Sequence, residues 1–598
     1  MLKLGIIGTG RIAERFMNTA VDGRDIKVVC VYNPRIEGSE KFAERHSIAY
    51  VCQSVEDMCG KVDGVYVASP HETHYQYVKT LLNNGVNVLC EKPMSLKKSD
   101  ILELQNISKE KGLVLMEAVK TAYCPGFNEL IRIAQSGRIG TVVDVEASFT
   151  RLTPMTTREY LNPVCNGSFM ELGSYVLLPV MRLLGSDYKS VYFNSLRAYN
   201  GVDTYTKAQI ECANGMATVK TGIGAKSEGQ LLVTGTKGYI LARSPWWMTK
   251  HFEVRYEDPD KIETYDFPYE SSGLQYELDE FIKRIQMNTQ EKMVEKSSEG
   301  ESIGVSREES LGMADIMEKF IDWNTPELEE IRQSNSVRLE EIKKENKGVK
   351  VWAHRGCCYR YPENTLESFE AAAKIPGIAG IELDVQFTKD KEIVVFHDEN
   401  VKRVTDGDRN VCEYTLKEIK ELKIKSNKDA QGNETYATIP TLREVLTLLK
   451  PYCEKNGLLI NIELKTSVIR YEGIEEKTMK LVEEMEMKDY IVYSSFLRDS
   501  VALVKRLDSG AKTGMLATDI YDCIEGMVAT KADAIHPYIG SLIYELPKDM
   551  NDIPVRVWNV EEPFFNNDDR PLKDWKWDEY VLCGVTDIIT NVPERYLV

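Results

Sequence analysis

A strand that runs into a glycine turn and then into a helix opens the chain, and this order constrains the fold more than any other feature. The apolar strand ends at residue 7, the turn is Gly8-Thr9-Gly10, and a helical stretch follows. More apolar runs alternate with helical stretches, at 26–32, 64–69 and 86–91. Because these runs lack alternating polar positions, they indicate strands that are buried on both faces. Residues 1–120 are therefore predicted to form a doubly wound parallel sheet.

The glycine turn has the features that a dinucleotide site requires. Gly8 permits a tight turn, Gly10 lets the backbone approach a pyrophosphate, and the following helix offers free N–H groups to the phosphates. The second strand ends at Asn33 rather than at a carboxylate, and Arg35 lies two residues further on. An arginine at this place favours the 2′-phosphate of NADP over NAD, although an exposed loop charge is the alternative interpretation of Arg35. We therefore expect 1–120 to be an NAD(P)-binding Rossmann domain.

The pattern changes after residue 120. Strand-like runs separated by turn signals occur at 141–149, 206–213, 216–224, 229–236 and 251–257. Short turns favour antiparallel pairing, so 121–323 is predicted to be an α+β domain with an open sheet. Residues 324–348 are dense in charge with helical spacing and are predicted to be a helical linker. A new pattern, predicted to be a separate domain, occupies 349–598.

Three later motifs add to the glycine turn: ASPHETH at 68–74, CEKPMSL at 90–96 and GSFMELGSY at 167–175. Together with GIIGTGRIA they resemble the glucose–fructose oxidoreductase/inositol dehydrogenase/MocA family over about residues 1–325. The resemblance implies hydride transfer between NAD(P) and a sugar, polyol or related alcohol, and a second domain that often mediates dimerisation. The cofactor contacts predicted on this basis are Gly8, Thr9, Gly10, Arg11, Ile12, Asn33, Arg35, Ser69, Pro70, His74, Glu91 and Lys92.

The same resemblance assigns the redox chemistry to Lys92 and Tyr175. Lys92 would lie near the nicotinamide and polarise the reacting hydroxyl, and Tyr175 would be the acid/base. Hydride removal from a carbinol needs a group that takes the hydroxyl proton, and a phenol whose pKa is lowered by a nearby lysine meets that need. Many family members have Asp in place of Glu171 and His in place of Tyr175. The tyrosine version resembles the dihydrodiol dehydrogenase-like branch, which leaves the redox substrate open. A packed tyrosine without a catalytic role is the alternative for Tyr175.

A second set of motifs begins at residue 349. HRG at 354–356, PENT at 362–365, ELDV at 382–385, HD at 397–398 and IELK at 462–465 occur in this order. The set resembles the glycerophosphodiester phosphodiesterase family across 349–598. The resemblance implies hydrolysis of a glycerophosphodiester to glycerol 3-phosphate and an alcohol. It implies three metal ligands and two acid/base histidines, which are Glu382, Asp384, Glu463, His354 and His397.

The residues support a metal site independently. Glu382 and Asp384 are two apart on a strand, so both carboxylates face the same way, and Glu463 ends another strand with Lys465 two residues on. Three carboxylates without thiols or a histidine cluster favour a hard divalent ion, Mg²⁺ or Ca²⁺, over zinc. Arg355 and Lys465 are expected to hold the remaining phosphate oxygens. Glu363 is expected to support Arg355.

The two histidines are expected to flank the metal-bound phosphate. His354 ends the first strand, and His397 lies thirteen positions after Asp384, a gap too short for a helical crossover. A hairpin that turns at 389–392 would return His397 to a place roughly opposite Asp384. An attacking base and a leaving-group acid fit this placement, and satisfied core histidines are the alternative.

Eight strands remain when the hairpin strand is set aside. They are expected to end near His354, Val385, Lys465, Ser494, Leu516, His536, Val560 and Thr590. Eight strands that alternate with helices predict a (β/α)8 TIM barrel with its chemistry at the carboxyl ends of the strands. Residues 398–438 are expected to hold a small insertion that shapes the alcohol pocket.

Charge and cysteine usage exclude several classes of protein. The net charge of -18 argues against a nucleic-acid or anionic-membrane partner. No apolar run is long enough to span a bilayer. The 13 cysteines are scattered without a C-x-x-C pair, which favours a reducing compartment, so a cytoplasmic protein is expected.

The sequence thus predicts a bifunctional enzyme with small-molecule substrates, NADP or NAD, and one divalent cation. The alternative is a phosphodiesterase whose N-terminal half binds nicotinamide for regulation or serves only oligomerisation. A homo-oligomer through the 121–323 sheet is expected.

Overall fold

The computed structural model describes residues 1–154, 157–160, 162–291, 303–344, 348–428, 434–542, 553–558 and 577–597. The described residues form two compact units, which meet in sequence between Gln333 and Ser334. Among the helices of these ranges, none has the length and apolarity that a bilayer crossing requires.

The first unit opens with a six-stranded, fully parallel sheet in the order β3-β2-β1-β4-β5-β6. Its strands are β1 (Leu2–Ile7), β2 (Ile26–Tyr32), β3 (Tyr50–Val51), β4 (Gly64–Val67), β5 (Asn87–Glu91) and β6 (Leu115–Ala118). The helices of this part are α1 (Arg11–Thr19), α2 (Ile36–His46), α3 (Val55–Met58), α4 (His74–Asn83) and α5 (Lys98–Lys111). The order reverses at β1, so the loops after β1 and β4 diverge and leave a crevice there. The predicted doubly wound fold is confirmed.

The second sheet of this unit has eight strands in the order β14-β13-β12-β11-β7-β10-β9-β8. All neighbours are antiparallel except β7 and β10, as the predicted mostly antiparallel sheet requires. The strands are β7 (Val142–Thr150), β8 (Tyr188–Arg197), β9 (Asp203–Cys212), β10 (Gly215–Gly222), β11 (Leu231–Gly235), β12 (Gly238–Ala242), β13 (His251–Tyr256) and β14 (Ile262–Asp266). The helices are α6 (Pro125–Gln135), α7 (Ser168–Leu184), α8 (Leu274–Glu291) and α9 (Arg307–Lys344). Residues 324–344 of the predicted linker are the second half of α9.

A buried carboxylate fixes the start of α7, the helix that carries Glu171 and Tyr175. Asp203 accepts hydrogen bonds from the backbone N–H of Phe169 (2.9 Å) and from the hydroxyls of Ser168 and Thr206 (both 2.7 Å). Burial raises the pKa of Asp203 to about 6. Asp203, the first residue of β9, therefore accepts the hydrogen bond at the N-terminus of α7 that an N-cap side chain usually accepts.

The second unit is a parallel barrel. Its strands and hairpins are β15 (Lys350–His354), β16 (Gly380–Phe387), β17 (Ile393–Val395), β18 (Ile424–Lys428), β19 (Glu434–Ala437), β20 (Leu459–Leu464), β21 (Ile491–Ser495), β22 (Lys512–Ala517), β23 (Ala534–Pro537), β24 (Arg556–Val557) and β25 (Asp587–Thr590). Eight of them follow the order β23-β22-β21-β20-β16-β15-β25-β24, and two parallel bridges, Ile535–Val555 and Tyr538–Trp558, join the ends. The TIM barrel is confirmed. The predicted seventh strand end at Val560 lies outside the described residues.

The helices of this unit are α10 (Leu366–Ala373), α11 (Leu416–Ile419), α12 (Leu442–Asn456), α13 (Ile474–Glu484), α14 (Arg498–Leu507), α15 (Ile520–Thr530), α16 (Trp577–Leu582) and α17 (Glu594–Leu597). Threonine begins several of them: Thr365 caps α10, and Thr441 forms a reciprocal capping pair with Glu444 on α12. The apolar core of this unit groups strand residues such as Ile381, Leu383 and Ile462 with residues of the surrounding helices, such as Phe369 and Leu442. The predicted hairpin is formed by β16 and β17, which pair antiparallel.

Candidate active sites

A cleft of about 580 Å³ opens in the first unit at the carboxyl ends of β1, β2, β4 and β5. It is lined by all the predicted cofactor-binding residues, which are Gly8, Thr9, Gly10, Arg11, Ile12, Asn33, Arg35, Ser69, Pro70, His74, Glu91 and Lys92. Tyr175 also lines it. The sequence prediction therefore named residues that the fold brings together.

The glycine turn is built as the motif predicts. Gly8 has φ +97°, and a Cβ at this position would lie 2.5 Å from the carbonyl oxygen of Ala68, so only glycine fits. Gly10 precedes α1, whose N-terminus has no side-chain cap among the described residues. The first N–H groups of α1 are thus available to a phosphate.

The end of β2 is polar and basic. The Asn33 side-chain amide donates to the Thr9 hydroxyl (2.6 Å), which ties the end of β2 to the glycine turn. Arg35 and Lys41 both line this part of the cleft, and sequence reasoning missed Lys41. In this fold the end of β2 lies beside the adenosine ribose of a bound dinucleotide. Two cations at this place suit the additional 2′-phosphate of NADP.

His74 joins two loops of the cleft wall. One ring nitrogen lies 2.8 Å from the carbonyl oxygen of Pro93 and the other 2.8 Å from that of Ser69. Both nitrogens are therefore engaged with backbone, and His74 shapes the cleft by fixing the Ser69 and Lys92–Pro93 segments.

Lys92 and Tyr175 lie close together, but the pKa of Tyr175 is shifted in the direction opposite to the predicted one. Lys92 Nζ donates to the carbonyl oxygen of Glu171 (2.7 Å) and lies 5.6 Å from the centre of the Tyr175 ring. Burial raises the pKa of Tyr175, with further contributions from Glu91 and Glu277, while burial lowers the pKa of Lys92. The prediction that the pKa of Tyr175 is lowered is wrong here, because burial and two carboxylates raise it.

Glu171 is the centre of a buried charged cluster beside this pair. Its carboxylate accepts from Arg158 (3.1 Å) and lies 3.6 Å from His71 Nε2 and 3.8 Å from Lys92 Nζ. Burial opposes ionisation, but Arg158 and then Lys92 lower the pKa of Glu171. Burial lowers the pKa of His71 to about 3, so its imidazole is neutral at physiological pH. His71 thus does not serve as a cationic acid there.

The far wall of the cleft includes part of Pro245-Trp246-Trp247, a segment whose sequence is compatible with either a pocket lining or a core role. Trp247 stacks on Phe149 with 3.6 Å between ring centres, and both line the cleft, whereas Trp246 is buried in the core. Arg11 and Arg151 both bond the buried carboxylate of Glu159, at 2.5 and 2.9 Å. Neither an aromatic pair nor a carboxylate in the second domain carries a spacing that predicts it.

The second unit brings three predicted carboxylates together. Asp384 on β16 pairs in register with Glu463 on β20, and Glu382 lies two residues earlier on β16. Oxygen atoms of all three lie within 4.8 Å of one another, and all three residues are buried or nearly so. Burial, followed by Asp384 and Glu463, raises the pKa of Glu382. Positive charge nearby would stabilise the ionised form of such a group of carboxylates.

Two predicted cations flank the carboxylates. Lys465 Nζ lies 2.9 Å from Glu463 and 3.8 Å from Asp384. Arg355 Nε lies 3.3 Å from Asp384, and the backbone N–H of Arg355 donates to Glu382 (3.1 Å). Even so, Asp384 Oδ1 is buried and has no hydrogen-bond partner within the described part of the chain. A buried carboxylate oxygen that accepts no hydrogen bond, beside two more carboxylates, fits the ligand set of a hard divalent ion.

Each of the two histidines is oriented by a different partner. His354 Nδ1 lies 2.7 Å from Asn591 Oδ1, and its Nε2 lies 3.9 Å from Glu382. His397 Nδ1 lies 2.6 Å from Asp398 Oδ1. Because both partners accept, Nδ1 carries the hydrogen in each ring and Nε2 is left for a ligand.

Sequence reasoning missed the groups that hold this site in place. Asn364 of PENT donates to Asp384 (2.9 Å) from a left-handed backbone, φ +57°. The Gln386 amide donates to the carbonyls of Phe396, His397 and Asp398 at 2.8–3.1 Å. The alternation of Glu382, Asp384 and Gln386 on one strand face is the signal that would have found Gln386.

Family comparisons agree with this division of the chain. The model described as an oxidoreductase family with an NAD-binding Rossmann fold matches residues 2–119, and the GFO/IDH/MocA C-terminal domain matches 127–241. The model of the glycerophosphoryl diester phosphodiesterase family matches 354–595.

Individual relatives fall into the same two groups. The scyllo-inositol 2-dehydrogenase (NADP(+)) of Bacillus subtilis is 30% identical over 298 residues, 48% of this chain and 89% of that protein. The trans-1,2-dihydrobenzene-1,2-diol dehydrogenase of Xenopus laevis is 27% identical over 328 residues, 53% of this chain and 98% of that protein. A glycerophosphodiester phosphodiesterase of Caldanaerobacter subterraneus is 36% identical over 258 residues, 41% of this chain and 96% of that protein.

Proposed function

The chain belongs to the oxidoreductase family with an NAD-binding Rossmann fold and, through its second half, to the glycerophosphoryl diester phosphodiesterase family, and from this we propose two specific reactions. The barrel hydrolyses a glycerophosphodiester to glycerol 3-phosphate and an alcohol in a metal-dependent reaction. The Rossmann unit transfers hydride between NADP and a sugar, polyol or related alcohol.

The observation that carries the hydrolase proposal is the grouping at the barrel mouth. Three buried carboxylates lie within 4.8 Å of one another, between two cations and two histidines with oriented rings. Arg355 and Lys465 are suited to hold phosphate oxygens, and each histidine presents Nε2 for proton exchange. One histidine takes the proton of the attacking water, and the other gives a proton to the alcohol oxygen as its bond to phosphorus breaks.

A divalent cation fits the carboxylate group. Glu382, Asp384 and Glu463 would hold Mg²⁺ or Ca²⁺, and the Asp384 oxygen that accepts no hydrogen bond supports a ligand role. When bound, such an ion stabilises negative charge on a phosphodiester oxygen. The chain itself supplies the ligands of the ion, the cationic side chains that bind phosphate and the groups that transfer protons.

The redox proposal rests on the cleft of the first unit. Lys92 and Tyr175 face the same space as the glycine turn, with the Lys92 ammonium 5.6 Å from the phenol ring. Tyr175, with its raised pKa, is suited to give a proton to the reacting oxygen as a carbonyl is reduced, and Lys92 orients that oxygen and stabilises charge on it. Arg35 and Lys41 support NADP over NAD. The stacked Phe149 and Trp247 offer a flat apolar wall to the C–H face of a ring.

A homo-oligomer through the eight-stranded sheet remains part of the proposal. Tyr192 on β8 and Met216 on β10 are 69% and 63% exposed, which is unusual for side chains of this size. Light scattering of the wild type and of Tyr192→Asp tests it, since a charge on this face would dissociate the oligomer.

The deciding experiment assays the full chain on glycerophosphodiesters with and without EDTA, beside His397→Ala. Metal-dependent release of glycerol 3-phosphate that the variant lacks is expected. Each released alcohol is then offered with NADP to the same protein. Inactivity towards every head group would contradict the hydrolase proposal, and failure of every released alcohol to support NADP reduction would contradict a coupled sequence.

A non-catalytic nicotinamide-binding half is the other candidate. A pure sensor or scaffold does not need a lysine and a phenol at the reacting end of the cleft, and both Lys92 and Tyr175 line it. NADPH fluorescence separates the candidates, because a scaffold need not bind the cofactor and a sensor would bind it without turnover.

A further inference from the structure

A chain of alternating charges runs along the rim of the barrel site, and Arg403 is its centre. Arg403 ends a short 3-10 helix, Val401–Arg403, in the segment that follows His397. Sequence reasoning assigned this segment to the alcohol pocket and gave Arg403 no role. The contacts of its guanidinium instead link Arg403 to residues that hold His397 and Arg355.

The Arg403 guanidinium holds two carboxylates at once. Its Nε donates to Asp398 Oδ2 (2.5 Å), and its Nη1 and Nη2 donate to the two oxygens of Glu363 (3.0 and 2.5 Å). Such a two-sided arrangement uses the planar fork of arginine, which a lysine ammonium does not reproduce. Arg403 therefore fixes the distance between Asp398 and Glu363.

Each of these carboxylates holds a group of the active site. Asp398 accepts from His397 Nδ1 (2.6 Å), and Glu363 accepts from Arg355 Nη1 (3.0 Å). His397 is a proposed proton-transfer group, and Arg355 is a proposed phosphate ligand that also lies 3.3 Å from Asp384. Arg403 thus contacts His397 and Arg355 indirectly, in each case through one carboxylate.

Packing does not account for this arrangement. The side chain of Arg403 is 48% exposed, so its removal leaves no cavity in the barrel core. Exposed ion pairs contribute little to stability. The ordered contacts to two carboxylates that each serve a different active-site group are better explained by the geometry of the site.

We propose that Arg403 is a positioning residue of the phosphodiesterase, which aligns His397 through Asp398 and Arg355 through Glu363. The inference rests on the proposed hydrolase function and adds a residue to it. Without Arg403, the side chains of Asp398 and Glu363 are free to rotate. His397 and Arg355 then lose the contacts that fix their positions relative to each other.

Steady-state kinetics of the full chain on a glycerophosphodiester test the proposal. Arg403→Gln is expected to lower kcat by about 10- to 100-fold, the usual loss when a residue that orients an active-site group is removed. Arg403→Lys is expected to recover only part of kcat. Arg409→Gln is the matched control, since Arg409 lies in the same segment over the ring of Tyr414 and contacts none of these groups in the described structure. Equal thermal unfolding of the variants shows that they fold.

A double-mutant cycle separates positioning from a general structural role. If Arg403 acts through the two carboxylates, Arg403→Gln costs little further activity in the Asp398→Asn/Glu363→Gln background. The same loss in both backgrounds, full activity of Arg403→Lys, or a wild-type kcat in Arg403→Gln would each overturn the proposal.

Calorimetric binding of glycerol 3-phosphate in the presence of Mg²⁺ distinguishes this proposal from the hydrolase function itself. A wild type that is inactive, yet binds the ligand more tightly than Arg403→Gln, would refute the hydrolase function and keep the positioning role. An inactive wild type whose affinity equals that of Arg403→Gln would refute both.

Discussion

The Oδ1 atom of Asn591, just beyond β25, lies 2.7 Å from Nδ1 of His354 at the end of the neighbouring strand β15. Because an amide oxygen only accepts, the hydrogen of the neutral imidazole sits on Nδ1, and Nε2 points a lone pair towards the carboxylates. The last strand of the barrel thus sets the tautomer of a histidine on the first.

Replacing Asn591 is therefore expected to impair hydrolysis without unfolding the barrel. Asn591→Leu keeps the approximate size and removes the acceptor, so kcat for a glycerophosphodiester should fall by about 10- to 100-fold. Asn591→Asp restores an acceptor and should retain more activity than the leucine variant. Asn456→Leu, an exposed substitution at the end of α12, is the control. An unchanged kcat in Asn591→Leu would show that the tautomer of His354 is fixed by other means.

Metal affinity is expected to increase with pH. Burial and neighbouring carboxylates raise the pKa of Glu382, and burial raises the pKa of Glu463, so a cation must displace protons from the site. Calorimetric titration with Mg²⁺ and Ca²⁺ between about pH 5.5 and 8 should show tighter binding at the alkaline end. Glu463→Gln should bind more weakly throughout, whereas the exposed Glu472→Gln should match the wild type. Binding that does not depend on pH would mean that the carboxylates are already ionised.

The choice between NADP and NAD is expected to depend on Arg35. Arg35→Ala should weaken NADPH binding by about tenfold, equivalent to loss of one charge-assisted phosphate contact, and leave NADH binding unchanged. Quenching of protein fluorescence measures both affinities. Arg138→Ala removes a partly exposed arginine that pairs with Glu263 in the second sheet and serves as the control. An equal loss for both cofactors would contradict a contact with the 2′-phosphate.

The stability of the first unit should depend on Asp203. Its pKa of about 6 lies above the ordinary value of 3.8, so the protonated form is favoured by folding. The resulting stabilisation is fully present below pH 3.8 and is lost as pH rises through about 6. Over this interval the loss amounts to about 3 kcal/mol.

Asp203→Asn is expected to flatten this part of the pH dependence, because an amide does not titrate. Chemical unfolding at a series of pH values compares the slopes of the two proteins, and Asp258→Asn in an exposed turn controls for a change in net charge. Parallel slopes would show that Asp203 ionises normally in the folded chain.

The edge strands β8 and β14 were not predictable from sequence, whereas the interior strands were, apart from the short β12. β4 is fully buried, and β1 and β5 are buried over most of their length, so apolar residues dominate their sequences. β8 lies at the edge of the second sheet and alternates between half-buried and exposed residues, and β14 at the other edge does the same. Such strands lack an apolar run, and their pairing comes from neighbours distant in the chain.

The same contrast holds for the sites. Glu382 and Asp384 were predictable because their spacing on one strand forces a common direction. Asn591 was not, since nothing local links it to His354, 237 residues earlier. The pKa of Tyr175 was predicted in the wrong direction because burial and the carboxylates of Glu91 and Glu277 depend on the tertiary fold.

The placement of each site within one unit has a consequence for the cell. The residues of the cleft all precede Gln333, and those of the barrel site all follow Ser334. Among the described residues, each site is thus built from one half of the sequence, and both halves are translated from one message. The two activities are therefore synthesised in a fixed one-to-one stoichiometry, and no difference in expression or turnover of separate genes can unbalance them.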